Sequence, residues 1–291
     1  MEYTISNDNV SFSVSSRGAE PISIKSADGT EYLWQPDPDF FGAHAPHIFP
    51  FIGRLFNESY IYAGVQYPMK IHGFLMQREL VIDSHENDSI TLRLDYDEDT
   101  LLRYPFKFRL FAGYSLEKFT VNITFRVENL DDKAMYFGIG GHPGFNVPLE
   151  DGLYFEDYRL EFSAPASPKR ILCSESLLLS GESSEFPLRE KKILDLHHDI
   201  FDEDAIILTD IAPSVTLKSD RGSRSVTVSY PDCEYLGIWH TPKKEPAFVC
   251  IEPWTSLQGK DGKIEVMETS ETMIRLDEGE TYENNWSITI E

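Results

Sequence analysis

The chain has 291 residues, with 26 lysines and arginines against 49 aspartates and glutamates, and a formal net charge of −23. Such a field repels phosphate backbones and anionic lipid surfaces, which argues against nucleic acid and membranes as partners. Cys173, Cys233 and Cys250 are odd in number and lack CxxC spacing, so neither a disulfide framework nor a cysteine-rich metal site is expected. The opening stretch, MEYTISNDNVSFSVSSRG, has no basic segment leading into an apolar run, and nowhere does the chain approach the ~20 apolar residues of a membrane helix. A cytoplasmic location is expected. No low-complexity tract or linker divides the chain, and one domain over 1–291 is the expectation.

Val10-Ser11-Phe12-Ser13-Val14 alternates apolar and polar residues, the two-residue period of a half-buried strand. Ala27 to Thr30 reads as a turn, and Tyr32, Leu33 and Trp34 return to a strand-like segment. In Ile52-Gly53-Arg54-Leu55-Phe56-Asn57 an arginine is flanked by apolar residues, so it must snorkel or meet an acceptor. Its planar fork suits two vicinal oxygens, on a carboxylate or a diol; a structural ion pair is the alternative. Tyr60, Tyr62 and Tyr67 surround Gly64 in a predicted hairpin, followed by Ile71-His72-Gly73-Phe74. A lone histidine in such a place is most often simply hydrogen-bonded.

Ser89 to Tyr96 is a predicted strand, and Asp97 to Arg103 one short helical turn. Phe106, Phe108 and Leu110, then Phe119, Val121, Ile123, Phe125 and Val127, alternate with polar residues, the signature of antiparallel strands with one dry face. Met135 to Ile139 leads into Gly140-Gly141-His142-Pro143-Gly144-Phe145-Asn146. Its glycines and proline predict a stiff, exposed turn that presents His142, either to a ligand or merely to a neighbouring carbonyl.

Ser163 to Lys192, polar and proline-bearing, reads as a long loop-rich excursion. Asp202-Glu203-Asp204 opens the strand at Ala205 to Leu208, and a solvated edge is the commoner reading of such a cluster. Val215 to Lys218 and Ser225 to Tyr230 form a predicted hairpin, followed by strand signals at 236–240, 248–255, 274–276 and 286–290. Glu252 stands at the end of the apolar run Phe248 to Ile251, beside Pro253 and Trp254. A carboxylate buried there raises its pKa and becomes a natural general base, unless it pairs with Arg54. More than a dozen strands and hardly a helix predict an all-β fold, a large antiparallel β-sandwich.

Gly53-Arg54-x-x-Asn57, Ile71-His72-Gly73-Phe74, Gly141-His142-Pro143-Gly144-Phe145 and Cys250-Ile251-Glu252-Pro253-Trp254, in that order, resemble the aldose 1-epimerase (galactose mutarotase) family, and more narrowly its LacX-like branch. The resemblance runs along essentially the whole chain, although well-characterised galactose mutarotases have an Asn-His pair where Gly141-His142 stands here. It implies a β-supersandwich that interconverts the α and β anomers of an aldose without a cofactor or metal. It matches His142 and Glu252 to the family's catalytic residues, and Arg54 and His72 to its sugar ligands. The family's substrate-binding aspartate falls in the acidic triplet, where Asp204 is preferred to Glu203 as the residue nearest Ala205 to Leu208. Asn57 would hold a hydroxyl, and Trp239 or Phe74 would stack on the sugar. Opening a pyranose needs one group to take the C1 hydroxyl proton and another to protonate the ring oxygen; Glu252 as base and the His142 imidazolium as acid fill these roles. A free aldohexose is the expected partner of a monomer or homodimer. The alternatives are a hexose-6-phosphate epimerase, for which the sequence shows no basic cluster, and a non-catalytic carbohydrate-binding protein.

Overall fold

The alternating segments become two large antiparallel sheets in the computed structural model, which describes all 291 residues. Strands take 48% of the chain and helices 8%, so the all-β class holds. Nine strands lie side by side in the order Ile193–Asp195, Tyr158–Phe162, Ser214–Ser219, Ser225–Ser229, Thr281–Ile290, Thr120–Asn129, Phe108–Glu117, Ser89–Asp95 and Val81–His85. The second sheet runs Leu179–Glu185, Lys169–Cys173, Ile206–Thr209, Tyr235–Trp239, Phe248–Trp254, Gly140–Gly141 and His47–Ile48, with Gly144–Asn146 also paired to Phe248–Trp254.

The two-residue period decides which side chains enter the space between the sheets. Val121, Ile123, Phe125 and Val127 are buried, while Thr120, Asn122, Thr124 and Arg126 are not. On the second sheet Leu236, Ile238, Val249 and Ile251 join the same core of 62 buried residues. Each such burial is worth ~1.5–3 kcal/mol before entropy is counted. The sheets touch where His47 Nε2 lies 2.6 Å from the Tyr114 hydroxyl and where the Trp286 ring fills the space a side chain at Gly141 would need. Alternation therefore sends Gly237, Trp239, Cys250, Glu252 and Trp254 to the opposite face of the second sheet, where the cleft opens.

Several expectations are corrected. The segment Ser163 to Lys192 is not merely a loop: it contains the hairpin Lys169–Cys173 and Leu179–Glu185, whose alternation is masked by polar side chains on an exposed edge. Phe119 sits in the turn before its strand and is exposed. Tyr32 to Trp34 forms no regular strand and makes one isolated bridge, from Leu33 to Phe145. Glu252 lies within, not at the end of, the strand, which continues through Pro253 to Trp254.

Candidate active site

The cleft on the outer face of the eight-stranded sheet has a volume of about 600 Å³. His142 reaches it from a segment that differs from the predicted exposed turn. Gly140–Gly141 and Gly144–Asn146 are short strands, and the glycines serve close approach rather than positive φ. A Cβ on Gly140 would lie 2.5 Å from the Pro253 carbonyl oxygen, and one on Gly141 2.6 Å from the Trp286 ring. Nor is His142 bared, since its side chain is only 12% exposed. The Phe41 ring stacks on it at 5.1 Å, and Trp239 meets it edge-on at 5.6 Å.

His142 Nε2 lies 3.3 Å from Glu252 Oε2, and the carboxylate side chain is 2% exposed. The contact lacks hydrogen-bond geometry, because Glu252 Oε2 is buried without a partner, and the other ring nitrogen, His142 Nδ1, is likewise buried without one. Buried polar atoms are normally satisfied, so two orphans at one cleft mark a place shaped for a ligand. Burial, reinforced by the nearby Asp204, raises the Glu252 pKa well above the carboxylate range. Burial likewise lowers His142 to about 4. Both shifts favour the uncharged forms, a protonated Glu252 and a neutral His142, over the carboxylate–imidazolium form. A dry site favours the uncharged pair.

His72 stands edge-on to His142 at 5.6 Å. It has φ +62°, and Gly73, at φ +74°, runs against the Phe49 carbonyl so closely that any Cβ would overlap it. The Gly53 amide donates to His72 Nδ1 at 3.2 Å, which leaves the ring proton on Nε2. Burial, with His142 and Arg54 nearby, lowers His72 to about 3 and keeps it neutral. Arg54 lines the cleft without a salt bridge, so the alternative ion pair with Glu252 is not formed.

Asp204 faces the cleft and accepts a 2.7 Å hydrogen bond from Trp239 Nε1, whereas Glu203 points to solvent near Arg170. Two expected residues do not line the cleft. Phe74 is wholly buried, packed against Phe49, Tyr104 and Phe108, because the backbone reverses at His72-Gly73 and turns its ring into the core. Asn57 is exposed in the short helical turn Phe56–Glu58, with φ 56°.

Sequence reasoning missed Phe41, Trp254 and Gln258, which also line the cleft. The aromatic pair Phe40-Phe41 was the available signal for the first; nothing local marked Gln258. It missed as well that strand pairing brings donor atoms of His142, Cys250 and Glu252 within 4.8 Å of one another, a grouping able to hold a metal ion. A second cavity of about 880 Å³ shares Arg54, Leu177, Asp204, Ala205 and Trp239 with the cleft. It adds Arg170 and Lys243, but also Glu175, Asp202 and Glu203.

A family model for aldose 1-epimerase matches residues 1–284. The plasmid-encoded protein LacX of Lactococcus lactis subsp. lactis is 32% identical, over 100% of this chain and 99% of its own length. Among solved structures, the galactose mutarotase related enzyme of Lactobacillus acidophilus is 34% identical with a TM-score of 0.96, covering 100% of this chain and 97% of that one. A galactose mutarotase-like protein of Lactobacillus casei is 29% identical with a TM-score of 0.93, covering both chains completely. At 19% identity and a TM-score of 0.78, a putative aldose 1-epimerase of Escherichia coli, covering 100% of this chain and 99% of that one, shares the fold. This chain belongs to the aldose 1-epimerase family.

Proposed function

We propose that the protein interconverts the α and β anomers of a free aldohexose such as galactose or glucose, with His142 and Glu252 as one proton-transfer pair. The observation that carries this reading is the unsatisfied His142–Glu252 contact, 3.3 Å apart and buried at a cleft. One member takes the O1 proton while the other gives a proton to the ring oxygen. The C1–O5 bond breaks, an open-chain aldehyde forms, C1 rotates about C1–C2, and closure on the other face reverses both transfers. The pair needs one proton in total. It can begin as acid-Glu252 with base-His142, or in the opposite state once bound sugar stabilises the charged form.

Arg54, His72 and Asp204 line the same cleft and are suited to holding hydroxyls, with Trp239 as an aromatic wall. No excess of cations supports a phosphorylated substrate: beside Arg54, Arg170 and Lys243 stand Glu175, Asp202, Glu203 and Asp204. A neutral sugar is the favoured ligand, in a reducing compartment that suits three free cysteines. The test is anomer exchange followed by NMR over free hexoses and their 6-phosphates. Catalysed exchange of a free hexose that drops ~10²–10⁴-fold in folded Glu252→Gln and His142→Asn is the expected result. Wild-type rates in folded Glu252→Gln would overturn the proton-transfer role of Glu252, a wild-type protein that exchanges no anomers would favour carbohydrate binding alone, and faster exchange of glucose 6-phosphate than of glucose and galactose would overturn the substrate class.

A further inference from the structure

His198 and His240 touch no part of the cleft, yet they close a ring of contacts around its acidic edge. His240 Nδ1 lies 2.9 Å from the Thr241 carbonyl oxygen, an acceptor only, so that nitrogen carries the proton. His240 Nε2 therefore presents a lone pair, and His198 Nδ1–H supplies the donor at 3.1 Å. Aromatic rings hold both imidazoles: Phe155 stacks on His198 at 4.0 Å, and Phe201 packs on His240 at 4.1 Å. Burial keeps both histidines below the ordinary imidazole range, His240 at about 4, so the neutral pair is the form present at neutral pH.

The two ends of this bond lead to the same place. His240 directly follows Trp239, whose Nε1 donates to Asp204. His198 begins the short helical turn His198–Phe201, and the Phe201 carbonyl accepts the Asp204 amide at 2.9 Å. Asp204 itself has φ +74°, a left-handed backbone that a non-glycine residue holds only when its surroundings impose it. Indole, carboxylate, helical turn and two imidazoles thus form one closed circuit, with a single histidine–histidine bond as its far side.

We propose that His198 and His240 are positioning residues, a hydrogen-bonded clamp that holds Asp204 and Trp239 in place for the sugar. The proposal rests on the reading of Asp204 and Trp239 as sugar-contacting residues. His198→Leu removes the donor; His198→Asn loses the same ring stacking but keeps an N–H near the δ position, so the difference between them isolates the bond. His198→Leu should raise KM roughly two- to tenfold, the worth of about one net hydrogen bond, with kcat nearly unchanged. It should also speed amide deuterium exchange across residues 199–205, and His198→Asn should restore both. An unchanged KM and exchange rate in His198→Leu, or equal defects in the two variants, would overturn the clamp. Nitrogen-15 NMR of the wild-type histidines gives a variant-free check: a proton on His240 Nδ1 is expected, and one on Nε2 overturns the proposal. A wild-type protein that exchanges no anomers would sink the mutarotase reading, while the deuterium and nitrogen measurements would still decide the clamp.

Discussion

Glu252 and His142 titrate as a pair, and their shifts set the expected pH dependence. The pair is competent while it holds one proton. A second proton adds as pH falls toward the His142 value of about 4, and the last one leaves only above the raised Glu252 value. Catalysed exchange should therefore show an acid limb near pH 4, an alkaline limb set by the raised Glu252 value and a plateau between them. Asp204 is one cause of the Glu252 shift, so Asp204→Asn should move the alkaline limb of kcat to lower pH while raising KM. An alkaline limb that stayed put would show that Asp204 does not share the field of the pair. Arg54→Lys should raise KM more than it lowers kcat, since a point charge replaces a planar fork that spans two oxygens.

Strand Phe248–Trp254 owes its position to glycines on both neighbouring strands. Gly140 faces the Pro253 carbonyl and the Trp254 ring, and Gly237 leaves room for the same indole, whose carbons lie 2.7 Å from where its Cβ would be. Gly140 has no positive φ, so its substitution is a purely steric test, and backbone cannot yield as a flexible side chain would. Gly140→Ala should cost ~1–3 kcal/mol of stability by overpacking and displace the strand that carries Glu252. Denaturant titration and anomer exchange should fall together. Loss of stability with full activity would mean that Glu252 is held from elsewhere.

At the scale of the whole molecule, buried histidines shape stability between about pH 4 and 6.5. Burial lowers the pKa of six of the eight, His47 and His72 to about 3 and His142 and His240 to about 4, with His44 and His198 also lowered. Between these values and the unfolded value of about 6.5 the unfolded chain binds more protons, so stability rises with pH across that window and is lost as pH falls through it. Glu252 acts in the opposite sense, since its folded form keeps a proton that the unfolded chain releases above about pH 4.5. Thermal melts should show Tm falling from pH 6.5 downward, and a flat profile to pH 4 would contradict the burial of these rings. We also propose that the chain is one cooperative domain, because the core of 62 residues draws on both sheets. Calorimetry should then show one transition, and two separated transitions would refute it.

Much of this was legible in the chain itself, because strand formation and facing depend on a local two-residue period. Val121, Ile123, Phe125 and Val127 announce both a strand and its dry side, and the motifs around Arg54, His72, His142 and Glu252 announce the family. Local pattern fails where side-chain direction depends on a backbone reversal, as at His72-Gly73, which buries Phe74, and where close packing rather than turn geometry demands glycine, as at Gly140 and Gly141. Burial of Glu252, and with it a raised pKa, was legible in its apolar run, but the share of Asp204 in that shift and the lowering of His142 lay beyond the sequence, since they depend on residues brought together only by the fold. Composition suggested the sign of the whole molecule's field, but only the fold decided which cations and carboxylates share a cavity. Period is a property of neighbours in the chain; burial and charge are properties of neighbours in space.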